Sequence, residues 1–309
     1  MSASQFSSGD VIADRRADYA RMLGEGEEFG AAAELMEQAL ELAPGWAAGW
    51  FRLGEYREKA AFPEMAVAAY REALRLEPDD VFAARLKLAL LGAEDVPEQP
   101  PSRYVESLFD DYADRFDTAL VEKLDYSVPG KLAALARGHA PFALTVDLGC
   151  GTGLFGAEIR DATHRLEGFD ISTNMLARAE RKGLYDHLGQ SDLTLPAEEA
   201  GLFDGLSPHR ADLVSAADVL MYLGSLETVF PLVTQLLAPT GLFAFSVEDA
   251  GAGNGFVLRE SMRYAHAEDY ILSLLETYGF DLVASEKTVI RMDGGNAIHG
   301  ILFLSRKAS

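Results

Sequence analysis

The chain has a single cysteine, Cys150, among 309 residues. No internal disulfide can form, which suits a reducing compartment and excludes a disulfide-stapled scaffold. Basic residues are scarce beside acids: 27 Lys and Arg against 49 Asp and Glu give a formal net charge of −22. A surface this acidic repels phosphate backbones and anionic lipid, which argues against nucleic-acid and membrane partners. Long apolar runs are missing too. The two longest, Leu213–Leu223 and Leu236–Val247, are interrupted by Asp, Pro, Gly or Ser. Neither reaches the ~20 residues that cross a bilayer. The first ten residues are small and polar, without a basic start or an apolar stretch. No signal peptide is therefore expected, and a cytoplasmic location is. The six histidines are scattered and the cysteine has no companion, so no metal site is expected.

What is present is an ordinary globular balance, 49% apolar and 25% charged, on a chain long enough for one large or two modest domains. The front of the chain repeats itself. Pro44 and Pro78 lie 34 residues apart, and the same offset links Ala32 to Ala66, Ala39 to Ala73, Leu40 to Leu74 and Leu42 to Leu76. The second unit carries Trp50, Leu53, Gly54, Ala66, Tyr70, Ala73 and Pro78. Small residues let two helices approach, bulky ones fill the remaining space, and the proline stops the second helix. This pattern resembles the tetratricopeptide repeat. A weaker first unit has Arg16 and Tyr19 where the second has Trp50 and Leu53, and a third helix over Val81–Leu91 reads as a cap. Two repeats plus a cap fall short of an independently stable stack. A module this small is expected to dock on something, as a packing or self-association arm or as a protein-binding surface.

Five segments follow from these signals: a polar tail over 1–12, repeats over 13–92, a stiff proline-rich linker over 93–102, a lid and N-terminal helices over 103–140, and an α/β core over 141–309. In the core, short apolar strands alternate with helices. Strands are expected at Leu144–Leu148, Leu166–Asp170, His187–Gln190, Ala211–Ala216 and Gly241–Val247. A helix is expected over His266–Tyr278, then a hairpin of Asp281–Arg291 and Ala297–Ser305 around Asp293-Gly294-Gly295. The sum is a mostly parallel Rossmann-like sheet of seven strands closed by an antiparallel hairpin.

The first strand runs into Asp147-Leu-Gly149-Cys-Gly151-Thr-Gly153. Glycines at alternate positions bring bare backbone against a ligand, and the helix that follows aims its first amides there. Asp170, closing the second strand, is placed to accept hydrogen bonds from ribose hydroxyls. Two ligands compete for this turn. Gly151–Gly156 matches the dinucleotide pattern literally, which would make the chain an NAD(P)-dependent oxidoreductase. That pattern, however, begins two residues late and leaves Asp147 facing a pyrophosphate. A sulfonium nucleoside carries positive charge and no phosphate, and there an acid is an asset.

The domain from about Ser102 onward resembles the class I S-adenosyl-L-methionine-dependent methyltransferases. The whole chain resembles bacterial predicted methyltransferases that carry tetratricopeptide repeats. Besides the glycine motif, the matching stretches are Phe109–Asp117, Gly168–Leu176, Ala216–Tyr222 and Arg263–His266. The resemblance implies S-adenosyl-L-methionine as cofactor and a small-molecule or protein methyl acceptor. It implies that Asp147, Gly149 and Gly151 line the methionine part, with Gly153 at the backbone turn. Asp170 would hold the ribose, Ile171 and Met175 would pack on adenine, and Asp192 with Leu193 would meet the adenine amino group. Ala216 would offer its carbonyl to the donor ammonium, and Tyr112 and Phe116 would belong to a lid.

Bland readings stand beside these. Met175 lies on an apolar helix face, Asp192 can cap a turn, Tyr112 and Phe116 can simply pack on the sheet, and Cys150 between glycines reads as structural. Tyr222, Glu248, Arg263 and His266 are candidates for the acceptor side, with Tyr222 and His266 as candidate catalytic groups; His266 can equally be a neighbour of a helix cap. The Asn/Asp-Pro-Pro-aromatic tetrapeptide associated with amino-group methylation of bases or glutamine amides is absent. A non-catalytic adaptor, with the fold kept as a scaffold for the repeats, also remains.

Overall fold

The computed structural model describes residues 7–113 and 127–308. The chain divides into two compact units, Met1–Tyr104 and Val105–Ser309.

The first unit is all helical. Helices α1 (Val11–Glu25) and α2 (Phe29–Leu42) form one hairpin, and α3 (Ala47–Lys59) and α4 (Pro63–Leu76) a second; α5 (Ala84–Leu90) follows. The Asp10 carboxylate caps α1 by accepting from the Ile12 and Ala13 amides, and Pro63 opens α4 where its missing N–H costs nothing. Ala20, Ala32, Met36, Leu40, Leu53, Tyr56 and Ala69 make the shared core. The small residue at Gly54 is required there: a Cβ would stand 2.5 Å from Tyr70 Cε1. The helix expected over Val81–Leu91 begins only at Ala84, because Asp80 accepts from the Ala84 and Arg85 amides and so defines the start.

In the second unit α6 (Ser102–Tyr112) and α7 (Val128–Arg137) precede β1 (Phe142–Leu148). There follow α8 (Leu154–Ile159), β2 (Thr163–Asp170), α9 (Thr173–Lys182), β3 (His187–Gln190), β4 (Ala211–Ala216), α10 (Val229–Leu236) and β5 (Leu237–Asp249). Two short strands, β6 (Phe256–Leu258) and β7 (Tyr264–His266), lead to α11 (Glu268–Thr277) and the hairpin β8 (Phe280–Asp293) and β9 (Asn296–Lys307).

The strand order is β3-β2-β1-β4-β5-β7-β6, with β9 antiparallel to β5 and β8 to β9. Chain direction across the sheet reverses between β1 and β4, the switch point beside which open α/β sheets bind ligands. The central strands are buried on both faces and are rich in Val, Leu and Phe.

Among the described residues the sheet has nine strands, not the seven expected. The additional pair, β6 and β7, is three residues per strand, too short for any periodic signal. Strand β7 pairs with the end of β5 through Glu248–Ala265 and Asp249–His266. Glu248 also pairs with Gly300 of β9, so β7 occupies the flank of β5 that β4 vacates after Ala216. This moves His266 out of the helix in which it was expected: it closes β7, and α11 starts at Glu268.

Candidate functional site

The turn after β1 is built on three glycines in left-handed conformation: Gly149 at φ 61°, Gly151 at 55° and Gly153 at 90°. Side-chain-bearing residues rarely adopt these angles. The Cys150 amide donates to the Phe169 carbonyl at 2.9 Å, tying the turn to β2. The Gly151 amide donates to Asp170 Oδ2 at 2.8 Å, and the Ser172 amide donates to Oδ1 at 2.9 Å. Asp170 thus bridges the glycine turn and the entry to α9. Burial raises its pKa to about 6, against the two amides that favour its charge, and the nearby Asp110 carboxylate adds to the rise.

Asp147 lies beneath the turn rather than in front of it. Only 1% of its surface is exposed. Tyr185 Oη donates to its Oδ2 at 2.7 Å and Ser215 Oγ donates to its Oδ1 at 2.8 Å. Both oxygens are engaged from inside the sheet, beneath the turn expected to line the methionine part. Burial pushes its pKa up to about 7, opposed by the two hydroxyl donors.

Of the residues expected near adenine, Ile171 is half-buried and Met175 is fully buried. Leu193 belongs mainly to the core. Asp192 Oδ1 accepts from the amide and hydroxyl of Thr194, at 2.9 and 2.6 Å, and so caps a turn. Ala216 ends β4 fully buried. Helix α6 reaches these elements by its own side chains. Asp110 accepts from Ser172 Oγ at 2.6 Å, and Phe109 packs edge-on against Tyr222 with ring centroids 4.9 Å apart. Tyr112, half-buried, ends this helix. Phe116 lies outside the described residues.

Beyond the ends of β4 and β5 a second polar cluster forms. Arg291, 3% exposed, donates to Asp218 at 3.1 and 3.2 Å and forms a tight ion pair with Glu248. Asp218 is a non-glycine residue at φ 59°, held there as its amide donates to Ser246 Oγ at 2.8 Å. Burial raises its pKa, with Arg291 opposing. Arg263 lies 5.8 Å over the Tyr222 ring and pairs with Asp293 at 3.2 Å. Burial raises the Tyr222 pKa, with Arg263 opposing. Three of the four acceptor-side candidates, Tyr222, Glu248 and Arg263, thus meet here. Sequence reasoning missed Asp218 and Arg291, which are 73 residues apart.

His266 is different. Its ring is fully buried, and Nε2 donates to the Gly224 carbonyl at 2.9 Å. Burial lowers its pKa from 6.5 to about 4. The ring stays neutral in the folded protein and gains a proton on unfolding below pH 6.5. Stability is therefore lost as pH falls from 6.5 toward 4, by up to about 3 kcal/mol. Asp147 and Asp170 act in the opposite sense, binding protons more tightly folded than unfolded as pH falls through 7 and 6. Urea unfolding of wild type and His266→Asn isolates the histidine: the gap between them should narrow by about 2–3 kcal/mol from pH 7 to pH 4. A gap of constant size would contradict the buried neutral ring.

Among the described residues no group of three or more His, Cys, Asp or Glu is arranged to hold a metal, and no helix is long and apolar enough to cross a membrane.

The architecture is a Rossmann-like sheet with a glycine turn after β1, an acid ending β2 and an antiparallel β8–β9 closure. Residues 146–243 match a family described as a methyltransferase domain. The chain is 30% identical over 106 residues to the malonyl-[acyl-carrier protein] O-methyltransferase of Enterobacter lignolyticus (strain SCF1). That stretch covers 34% of this chain and 39% of the relative, so the chain spans well under half the length of the curated relative it matches. The fold is shared with the 1,6-didemethyltoxoflavin-N1-methyltransferase of Burkholderia thailandensis, solved with S-adenosylhomocysteine bound: 20% identity, TM-score 0.51, 70% of this chain and 94% of that one. A [4+2]-cyclase shares it equally, with 14% identity, TM-score 0.53, 70% of this chain and 99% of that one.

Proposed function

We propose that this chain is an S-adenosyl-L-methionine-dependent methyltransferase acting by in-line displacement on a small-molecule or protein acceptor. One observation carries the reading: the left-handed glycine turn is flanked by two buried carboxylates, Asp147 beneath it and Asp170 clasped to the Gly151 amide. A pyrophosphate meets repulsion there, whereas a sulfonium with an ammonium group meets attraction. That favours the methyl-donor reading over the NAD(P)-dependent oxidoreductase, and the match of residues 146–243 to a methyltransferase domain supports it.

In this reading Gly149, Gly151 and Gly153 give the donor bare backbone, Asp170 takes its ribose, and Ile171 covers adenine. The free oxygen of Asp192 remains for the adenine amino group, and the Ala216 carbonyl for the ammonium. Helix α6 with Tyr112 forms one wall. Bound, the donor supplies an activated methyl group; the protein aligns the acceptor and excludes water. Tyr222, Arg263 and the Asp218–Arg291–Glu248 cluster face the acceptor, and His266 serves the packing of β7.

The helical hairpins of the first unit are, in our reading, tetratricopeptide-type repeats over 13–92 that bind a protein partner or a second copy. The net charge of −22 supports a protein that avoids nucleic acid and membranes, and the single cysteine supports a reducing compartment such as the cytoplasm.

Thermal-shift titration tests the donor assignment: stabilisation by S-adenosylhomocysteine but not by NAD is expected, and the reverse overturns it. Asp170→Ala should weaken S-adenosylhomocysteine binding by about 1–3 kcal/mol in calorimetry, the cost of lost hydrogen bonds to a charged group. Unchanged affinity would contradict the ribose assignment.

A further inference from the structure

We infer that Tyr185, just ahead of β3, is a positioning residue for the donor site: its ring buttresses the glycine turn and its hydroxyl holds the Asp147 carboxylate in charged form. The inference rests on the donor reading above. Three glycines from three elements yield to this one ring. A Cβ on Gly153, which caps α8, would stand 2.9 Å from Tyr185 Cε2. One on Gly168 of β2 would stand 2.7 Å from Cε1. One on Gly156 of α8 would collide with the phenol oxygen itself. Such contacts leave no slack, so turn, helix and strand are registered against a single rigid side chain.

The hydroxyl does separate work. It donates to Asp147 at 2.7 Å, and Ser215 occupies the other oxygen at 2.8 Å. Among the described residues no arginine or lysine pairs with Asp147. Asp170 across the turn opposes its charge and is itself faced by Asp110 of α6, while the Cys150 thiol, its pKa pushed well up by burial, stays neutral. The pKa of Asp147 lies at about 7 with the hydroxyl donors in place. A donor hydrogen bond to a carboxylate favours the charged form, so losing it lets Asp147 take up a proton at still higher pH. A neutral Asp147 no longer attracts a cationic ligand in the turn above.

Tyr185→Phe keeps the ring and removes only the hydroxyl. Calorimetry with the cationic S-adenosyl-L-methionine from pH 5.5 to 8 reads the effect. Wild-type affinity should weaken as pH falls below 7. In Tyr185→Phe that midpoint should move up by about one pH unit, with an affinity loss of about fivefold at pH 7 that shrinks to about twofold at pH 8. Tyr185→Leu, which also loses the buttress, should bind more weakly at every pH. Superimposable pH profiles for wild type and Tyr185→Phe would overturn the inference, as would a melting-temperature drop in Tyr185→Phe without a shifted midpoint. If folded wild type binds no donor compound at any pH, the donor reading falls first and this inference with it.

Discussion

Gly149→Ala is expected to lose S-adenosylhomocysteine affinity by about 100-fold or more while the protein still folds. Two penalties coincide at this residue. Its φ of 61° costs an alanine about 1–2 kcal/mol. The new Cβ would also stand 2.9 and 3.2 Å from Val219 Cγ1 and Cβ, and closer still to Cγ2. Valine is branched at Cβ and cannot swing away by a simple rotamer change. The cheapest relief is for the turn to lift off β1, which disorders the backbone that meets the donor and leaves the core intact. Calorimetry reads the affinity, and far-UV circular dichroism confirms folding. A folded variant binding within about threefold of wild type would remove the turn from the donor site.

Arg291→Met should be the most destabilising single change in the Asp218–Arg291–Glu248 cluster, by about 3–5 kcal/mol at neutral pH. The guanidinium separates the buried carboxylates of Asp218 and Glu248, both under 9% exposed. Methionine fills similar volume but leaves two like charges facing each other, with only the Arg263 guanidinium left to offset them. The penalty should shrink as pH falls, because an unpaired buried carboxyl accepts a proton readily. The double variant Arg291→Met/Glu248→Gln should recover part of the loss, since one charge of the pair is gone. Guanidinium unfolding at pH 7 and pH 5 measures both. A loss below about 1 kcal/mol at pH 7 would mean that the cluster is solvated and contributes little.

How far the fold could be read in advance depended on the range of the signal. The helical hairpins of the first unit announce themselves because the small residue at Gly54 and the bulk of Tyr70 must alternate where helices cross. Strand β4 at Ala211–Ala216 and strand β3 at His187–Gln190 follow from local apolar runs bounded by turn residues. The glycine turn was legible because each left-handed position demands glycine. Strands β6 and β7 were not, since three residues cannot establish a period, and this alone displaced His266 from a helix start to a strand end. The inward turn of Asp147 was hidden because its partners Tyr185 and Ser215 arrive from 38 and 68 residues away. Arg291 reads locally as the polar position of an alternating strand; only the closure of β8 onto β9, and of β9 onto β5, brings it to Asp218 and Glu248.

The β6–β7 ribbon is fastened to the rest of the sheet by just two register pairs, at the last two residues of β5. Lengthening or replacing the turn over residues 259–263 would leave β1, β2 and the buried Tyr264, Ala265 and His266 in place. Under our proposal that ribbon carries Arg263 beside Tyr222. Acceptor choice is then a modular property of this chain, open to revision by grafting a short peripheral segment while the donor machinery stays constant.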